Sequence, residues 1–343
     1  MKKYNVGILG STGLVGQRLI ETLDNHPYFN ISKLFTRPEK KGQLYYDVVD
    51  WVCGTKLNPH VAQIKLSSID DMSEYDGLSL IFSALPGDAA EKIEGKLREH
   101  GFGVVSNAKT YRLHDDVPLL VPEINANALE LVNAQKKKYN GGFIATNPNC
   151  CCIGIALAVA PIEKNVGIDS LHIVTMQARS GAGLKGLSST EITANVIPNI
   201  GEEEDKIKKE LPKIFSRNDL GIKVRVNRVP VVDGHTFNIW FKTKKKTSVQ
   251  DIIKMINSFK PECGIVPSLS KGNSVYNIYE NNDFMPQPRI DSTFLNGMGT
   301  SIGRIEALSD NEFCMTAVSN NAIRGAAGGT LIIAEILKEK ELI

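Results

Sequence analysis

The chain of 343 residues contains no run of about 18 apolar residues, the length a helix needs to cross a bilayer, so no helical membrane span is expected. Its six cysteines are too few for a disulfide scaffold at this length, and none are spaced Cys-x-x-Cys, the pattern that aims sulfurs at one zinc ion. Thiols, and no metal, are expected. Charge of one sign is also lacking: 40 Lys and Arg stand against 38 Asp and Glu, a net +2, too little to gather nucleic acid or an anionic membrane. The lysines within residues 242–246 read as a solvated hairpin end. The opening "MKKYNVGILG" has an apolar stretch broken at Gly7 and Gly10, so it is not expected to act as a secretory leader, and the cytoplasm is the default location. Internal repeats and low-complexity linkers are missing too.

What is present is ordinary globular composition, 42% apolar and 23% charged, in a chain long enough for roughly two domains at about 150 residues each. Short apolar runs, "KYNVGIL" (3–9), "ISKLFT" (31–36), "SLIFSA" (79–84), "GVVS" (103–106) and "GFIAT" (142–146), alternate with helical stretches, notably 88–100. That alternation implies an α/β fold with a Rossmann-type, doubly wound parallel sheet. After about residue 165 the pattern changes to long strands with period two, "SLHIVTMQA", "IKVRVNRVPV", "HTFNIWFKT", "TSIGRIEAL" and "EFCMTAVS"; Phe237, Ile239 and Phe241 share one face. This predicts an α+β domain with a mostly antiparallel sheet, helices covering one side. The expected division is a dinucleotide-binding domain over 1–149, completed by a C-terminal helix over 321–343, and a catalytic and dimerisation domain over 150–320.

The first strand runs into "GSTGLVGQRLIETL". Gly10, Gly13 and Gly16 would let the backbone approach a pyrophosphate, and the following helix offers unpaired N–H groups and a positive dipole end. Gly10, Ser11, Thr12, Gly13, Leu14 and Val15 are therefore candidate cofactor contacts, with Ser83 at the end of a later strand. The second strand ends in Thr36 and Arg37, where an NAD-specific fold places an acid for the ribose 2′-hydroxyl. A hydroxyl and a guanidinium suit a 2′-phosphate, so NADP is expected.

The stretch "ATNPNCCCIG" (145–154) puts Cys150 at the junction of a strand and a helix, where α/β ligands bind and where the helix dipole favours thiolate. Cys151 and Cys152, among apolar neighbours, read as small core residues. Cys150 is the candidate nucleophile and needs an acid or base nearby. Of six histidines, His26 and His100 sit at helix ends and read as capping or surface residues, and His172 alternates within a strand. His235 opens a strand after "PVVDG" in the second domain and is the candidate partner.

Eight motifs in order, "GILGSTGLVGQRL", "IFSALP", "SNAKTYRLHDDVPLLVPEIN", "TNPNC", "MQARSGAG", "GEEEDK", "NRVPVVDGHT" and "NNAIRGAAGG", resemble the aspartate-β-semialdehyde dehydrogenase family of the archaeal and fungal type, over nearly the whole chain. The resemblance implies NADP-dependent reductive dephosphorylation of β-aspartyl phosphate through a Cys150 thioester, in lysine, threonine and methionine biosynthesis, by a homodimer or homotetramer. It implies Cys150 as nucleophile, His235 as acid/base and Gln177 as the group positioning the intermediate. Arg228 would grip the substrate carboxylate, Arg112 and Lys206 the phosphate, and Glu203 the ammonium, with Asn149 lining the site. Ser180, Gly181, Gly183 and Asn321 would meet the nicotinamide. Departures are Cys151 and Cys152, commonly hydroxylic, and Arg179 and Lys185 around "SGAG", where small or apolar residues are expected. Malonyl-CoA reductase, N-acetyl-glutamyl-phosphate reductase and a non-catalytic NADP-binding regulator remain alternatives.

Overall fold

A computed structural model describes residues 3–184, 186–269 and 274–343; Lys185 lies outside them. The chain forms two compact units, one from Met1–Leu120, Asn127–Pro148 and Ala326–Ile343, the other from Val121–Ala126 and Asn149–Gly325.

The first unit holds strands β1 (Tyr4–Leu9), β2 (Phe29–Thr36), β3 (Ser67–Ser68), β4 (Leu80–Ser83), β5 (Gly103–Ser106) and β6 (Phe143–Thr146), with helices α1 (Leu14–Leu23), α2 (Gly87–Glu99) and α3 (Glu130–Lys138). The strands make a parallel sheet in the order β3-β2-β1-β4-β5-β6. Val6, Ile8, Phe82, Val104 and Ile144 are fully buried, as strands covered on both faces require. The strand order reverses between β1 and β4, which puts the Gly10 turn and Ser83 at the switch point where dinucleotides bind.

The closing helix Gly328–Glu339 belongs to this unit and corrects the reading of His26. His26 is buried, not a surface cap: its Nε2 lies 2.8 Å from Glu335 on that helix, and its ring stacks on Phe29. The partner lies 309 residues away, so local sequence gave no sign of it.

Glu94 on α2 is fully buried, and Ser106 Oγ donates to its Oε1 at 2.7 Å. Burial pushes its carboxyl up to about 7, against partial relief from Ser83, Ser106 and Arg112. The folded value exceeds the unfolded one, so stability is fullest below about 4.5 and declines as pH rises through about 7. At about 1.4 kcal/mol for each pH unit of that interval, the loss reaches about 3 kcal/mol. Glu94→Gln, a neutral isostere, should therefore be the more stable protein in urea unfolding at pH 8, and lose that advantage at pH 5. An advantage that did not shrink on acidification would contradict this account.

The second unit holds β7 (Ile168–Gln177), β8 (Ile197–Pro198), β9 (Gly221–Arg228), β10 (His235–Thr243), β11 (Tyr276–Tyr279), β12 (Thr300–Ala307) and β13 (Glu312–Ser319), with helices α4 (Cys150–Val166), α5 (Glu203–Phe215) and α6 (Val249–Asn257). The sheet order is β11-β12-β13-β10-β7-β9-β8; β11/β12 and β7/β9 are parallel and the other pairs antiparallel. The expected strand through "VPV" ends instead at Arg228. Helix α4 is apolar on every side and buried from Cys151 to Ile162, as a central helix must be. Pro161 cannot donate to the Leu157 carbonyl, four residues back; the buried Tyr276 hydroxyl donates to it instead, at 2.8 Å. A fully buried ion pair, Arg324 to Glu123 at 2.6 and 2.8 Å, ties residues 121–126 into this unit.

Candidate active site

Helix α4 starts at Cys150 because Asn149 caps it. The Asn149 Oδ1 accepts from the N–H of Cys151 at 2.9 Å and of Cys152 at 3.4 Å, satisfying donors that have no intrahelical partner. Cys150 is half-buried, whereas Cys151 and Cys152 are fully buried. Burial drives the Cys151 thiol well up, so it stays protonated.

The register of three strands sets the other groups side by side, and His235 among them reaches Cys150. His235 lies in register with Phe237, Ile239 and Phe241 on the face that α4 covers. Gln177 ends β7, Arg228 ends the neighbouring β9 directly opposite it, and His235 begins β10 on the other side of β7. All three are buried. His235 Nε2 lies 3.3 Å from Cys150 Sγ. Its Nδ1 accepts from the backbone N–H of Ala178 at 3.0 Å, so the neutral ring carries its proton on Nε2, pointed at the sulfur. Arg228 Nη1 donates to the carbonyl of the same Ala178 at 2.7 Å. Gly181 leaves room here, since a Cβ on it would sit 2.8 Å from Arg228 Nη1 and 3.2 Å from His235 Cε1.

Ligand atoms of Cys150, Cys151 and His235 lie within 4.8 Å of one another, a spacing a metal ion could bridge. The hydrogen bond on the other side of the ring does not suit a metal. A ligating Nε2 must be unprotonated, with the proton on Nδ1 facing an acceptor, and Nδ1 here faces the Ala178 N–H donor.

Helix α5 presents Glu203, Lys206 and Glu210 at helical spacing toward the start of α4. Glu203 Oε2 accepts from Asn149 Nδ2 at 2.8 Å, and its Oε1 pairs with Lys206 Nζ at 2.7 Å. Glu210, 2% exposed, accepts from the Asn149 backbone N–H at 2.6 Å. Asn321 joins two loops of the unit: its Nδ2 donates to Ser180 Oγ at 2.9 Å and its Oδ1 accepts from Gly234 N–H at 2.9 Å. Arg179 is half-buried in the same turn, and Gly183 follows in the left-handed region at φ 76°.

The remaining candidates belong to the first unit. Arg112 is 8% exposed, and its Nη2 donates to the Asn107 carbonyl at 2.7 Å. Gly10 has φ 73°, and a Cβ on Gly16 would fall 2.2 Å from the Gly10 carbonyl oxygen. Together with Gly13, which caps α1 without a side-chain bond, they leave bare backbone that fits a pyrophosphate. Ser11 and Ser83 are buried, Thr12 is exposed, and Leu14 and Val15 are half-buried. Thr36 closes β2, and Arg37 stands exposed beside it.

The sequence model of the semialdehyde dehydrogenase NAD binding domain matches residues 5–132, and that of the semialdehyde dehydrogenase dimerisation domain matches residues 159–324. An aspartate-semialdehyde dehydrogenase of Archaeoglobus fulgidus is 36% identical over 350 residues, spanning 99% of this chain and all of the relative. That of Saccharomyces cerevisiae is 36% identical over 365 residues and 99% of each chain. The crystal structure of the Candida albicans enzyme with NADP superposes with a TM-score of 0.90 at 33% identity, covering 99% of this chain and 100% of the other. The chain belongs to the aspartate-semialdehyde dehydrogenase family.

As a member of that family it is an oxidoreductase with an NAD-binding unit and a dimerisation unit, and the thioester reductase and regulator alternatives are not favoured. Two residues of this aspartate-semialdehyde dehydrogenase site escaped the sequence reading. Glu210 could have been found from its spacing to Glu203 and Lys206 on one helix face. Gly325 could not: a Cβ on it would lie 2.7 Å from Cys150 Cβ, an approach visible only in three dimensions.

Proposed function

We propose that the chain catalyses NADPH-dependent reductive dephosphorylation of β-aspartyl phosphate to aspartate semialdehyde, in the cytoplasm, with Cys150 as nucleophile. The observation that carries the assignment is the 3.3 Å approach of His235 Nε2 to a sulfur at the head of a capped helix. The Cys150 thiolate attacks the acyl phosphate; the C–S bond forms, the C–O bond to phosphate breaks, and the oxyanion leaves on the phosphate. Lys206 holds the phosphoryl group, Arg228 the α-carboxylate and Glu203 the ammonium, as forked and point charges suit those groups, and the family resemblance adds Arg112 as a phosphate-binding group. Gln177 positions the thioester. When bound, the reduced nicotinamide supplies a hydride. His235 Nε2–H then donates to the oxygen on which charge develops, and the C–S bond breaks to regenerate the thiolate. This direction requires a hydrogen-bond donor rather than a base, which is the tautomer that Ala178 N–H selects.

Gly10, Ser11, Thr12, Gly13, Leu14, Val15 and Ser83 would hold the dinucleotide in the first unit. Ser180, Gly181, Gly183 and Asn321 are the nicotinamide contacts that the family resemblance implies. Thr36 and Arg37 favour a 2′-phosphate because neither repels it. The dinucleotide-binding part is proposed as 1–149 with 321–343, and the catalytic part as 150–320. Among the described residues no helix is long and apolar enough to cross a membrane. A homodimer or homotetramer is proposed, paired through the outward face of the seven-stranded sheet. There His172, Trp240 and Lys242 line a hollow, and Trp240 is 40% exposed.

One assay tests substrate and cofactor together. With phosphate and aspartate semialdehyde, turnover should be far faster than reduction of malonyl-CoA or N-acetyl-glutamyl phosphate. The value of kcat/KM for NADP should exceed that for NAD, and Arg37→Ala should narrow the gap. Equal use of the two dinucleotides, or preference for either other acyl substrate, would contradict the proposal.

A further inference from the structure

We infer that Glu210 is a positioning residue for the nucleophile: by accepting the N–H of Asn149, it fixes the peptide from which the Cys150 helix begins. Every part of the arrangement lies in the second unit. Glu210 is 2% exposed and sits on α5, about two turns beyond Glu203 and one beyond Lys206. Its Oε2 receives the Asn149 N–H at 2.6 Å, short for an N–H···O bond, as a carboxylate acceptor makes it. Asn149 in turn caps α4 through Oδ1 and donates to Glu203 through Nδ2. One residue therefore receives its backbone orientation from Glu210, hands its side-chain oxygen to the helix, and hands its side-chain amide to Glu203. If that peptide rotates, the cap and the Glu203 contact turn with it, and the Cys150 sulfur leaves its place opposite His235.

The distance matters more than the charge in this argument. A negative charge at a helix N-terminus stabilises the helix wherever it sits in the first turn, but a hydrogen bond to Asn149 N–H requires the acceptor to reach it. Asparagine capping alone cannot replace it, because the cap uses the side chain of Asn149 and leaves its own N–H to be satisfied from outside. Buried N–H groups are seldom left without a partner.

Gln and Asp substitutions separate reach from charge. Glu210→Gln keeps an oxygen at the same reach without the charge; Glu210→Asp keeps the charge but is one methylene shorter, on the order of 1 Å. Misplacement of that size at a reacting group costs about 100-fold in rate. The inference rests on Cys150 being the nucleophile of the proposed reaction. The experiment measures kcat for oxidation of aspartate semialdehyde with NADP and phosphate by the full-length enzyme, per folded active site, the folded fraction being read from near-ultraviolet circular dichroism, so that unfolded protein does not count. Glu210→Gln should retain kcat within about fivefold, and Glu210→Asp should lose about 100-fold, with KM for semialdehyde and NADP within about threefold in both. A Gln variant no better than the Asp variant would overturn the inference, whether both are active or both are impaired, because a purely structural carboxylate leaves kcat per site unchanged and a purely electrostatic one favours Asp. If the wild-type enzyme does not turn over these substrates, the proposed function fails and not the positioning.

Discussion

Cys150→Ser should lower kcat by on the order of 10³-fold or more, the scale seen when an enzyme loses its nucleophile. Oxygen at this position cannot do what sulfur does. The helix dipole at the head of α4 favours a thiolate, but an alcohol remains protonated under the same field. The neutral His235 ring, its Nδ1 facing the Ala178 N–H, presents Nε2–H to the nucleophile and so offers it a donor. A serine nucleophile needs a base, and this site presents a donor. The neighbouring sulfurs are no substitute. Cys151 and Cys152 are fully buried, and burial keeps Cys151 as a thiol. Cys151→Ser and Cys152→Ser should therefore keep most of the activity per folded molecule, while losing about 1–3 kcal/mol of stability from burying a more polar hydroxyl in place of the thiol.

Arg228→Lys should reduce kcat/KM for the semialdehyde by roughly 10²-fold, the equivalent of a few kcal/mol of transition-state binding. A lysine ammonium offers a point charge where a carboxylate expects a planar fork. Arg228 also bonds the carbonyl of Ala178, whose N–H sets the tautomer of His235, so part of the loss should fall on kcat as well as on KM. The KM for NADP should change far less than that for the semialdehyde, since Arg228 is proposed to hold the carboxylate and meets the nicotinamide side at Gly181. Kinetics within threefold of the wild type in a folded variant would show that the substrate carboxylate is held elsewhere.

Much of this site was legible because it obeys short-range rules. Period-two alternation put Phe237, Ile239 and Phe241 on one face, and His235 falls on the same parity, so the strand pattern already aimed it at the covering helix. The strand-to-helix junction located Cys150, though not the cap that Asn149 provides. The glycine spacing 10, 13, 16 marked the first turn. What stayed hidden depended on pairings far apart in sequence. His26 meets Glu335 across 309 residues, Arg324 meets Glu123 across 201, and Gly325 touches Cys150. The short strands β3, β8 and β11 carry two to four residues each, too few for any period to register, and their identity comes from the neighbours they pair with. The tautomer of His235 also lay beyond the sequence, since a backbone amide sets it and every residue type has one.

The most direct measurement is to trap the acyl-enzyme. Incubating the protein with β-aspartyl phosphate in the absence of NADPH should release phosphate once per active site and leave an aspartyl group on sulfur. Digestion and mass spectrometry then locate it within the peptide that spans residues 150–152. The account predicts the label on Cys150, with Cys151 and Cys152 unmodified; a label on either of those two, or phosphate release with no adduct on Cys150, would contradict it.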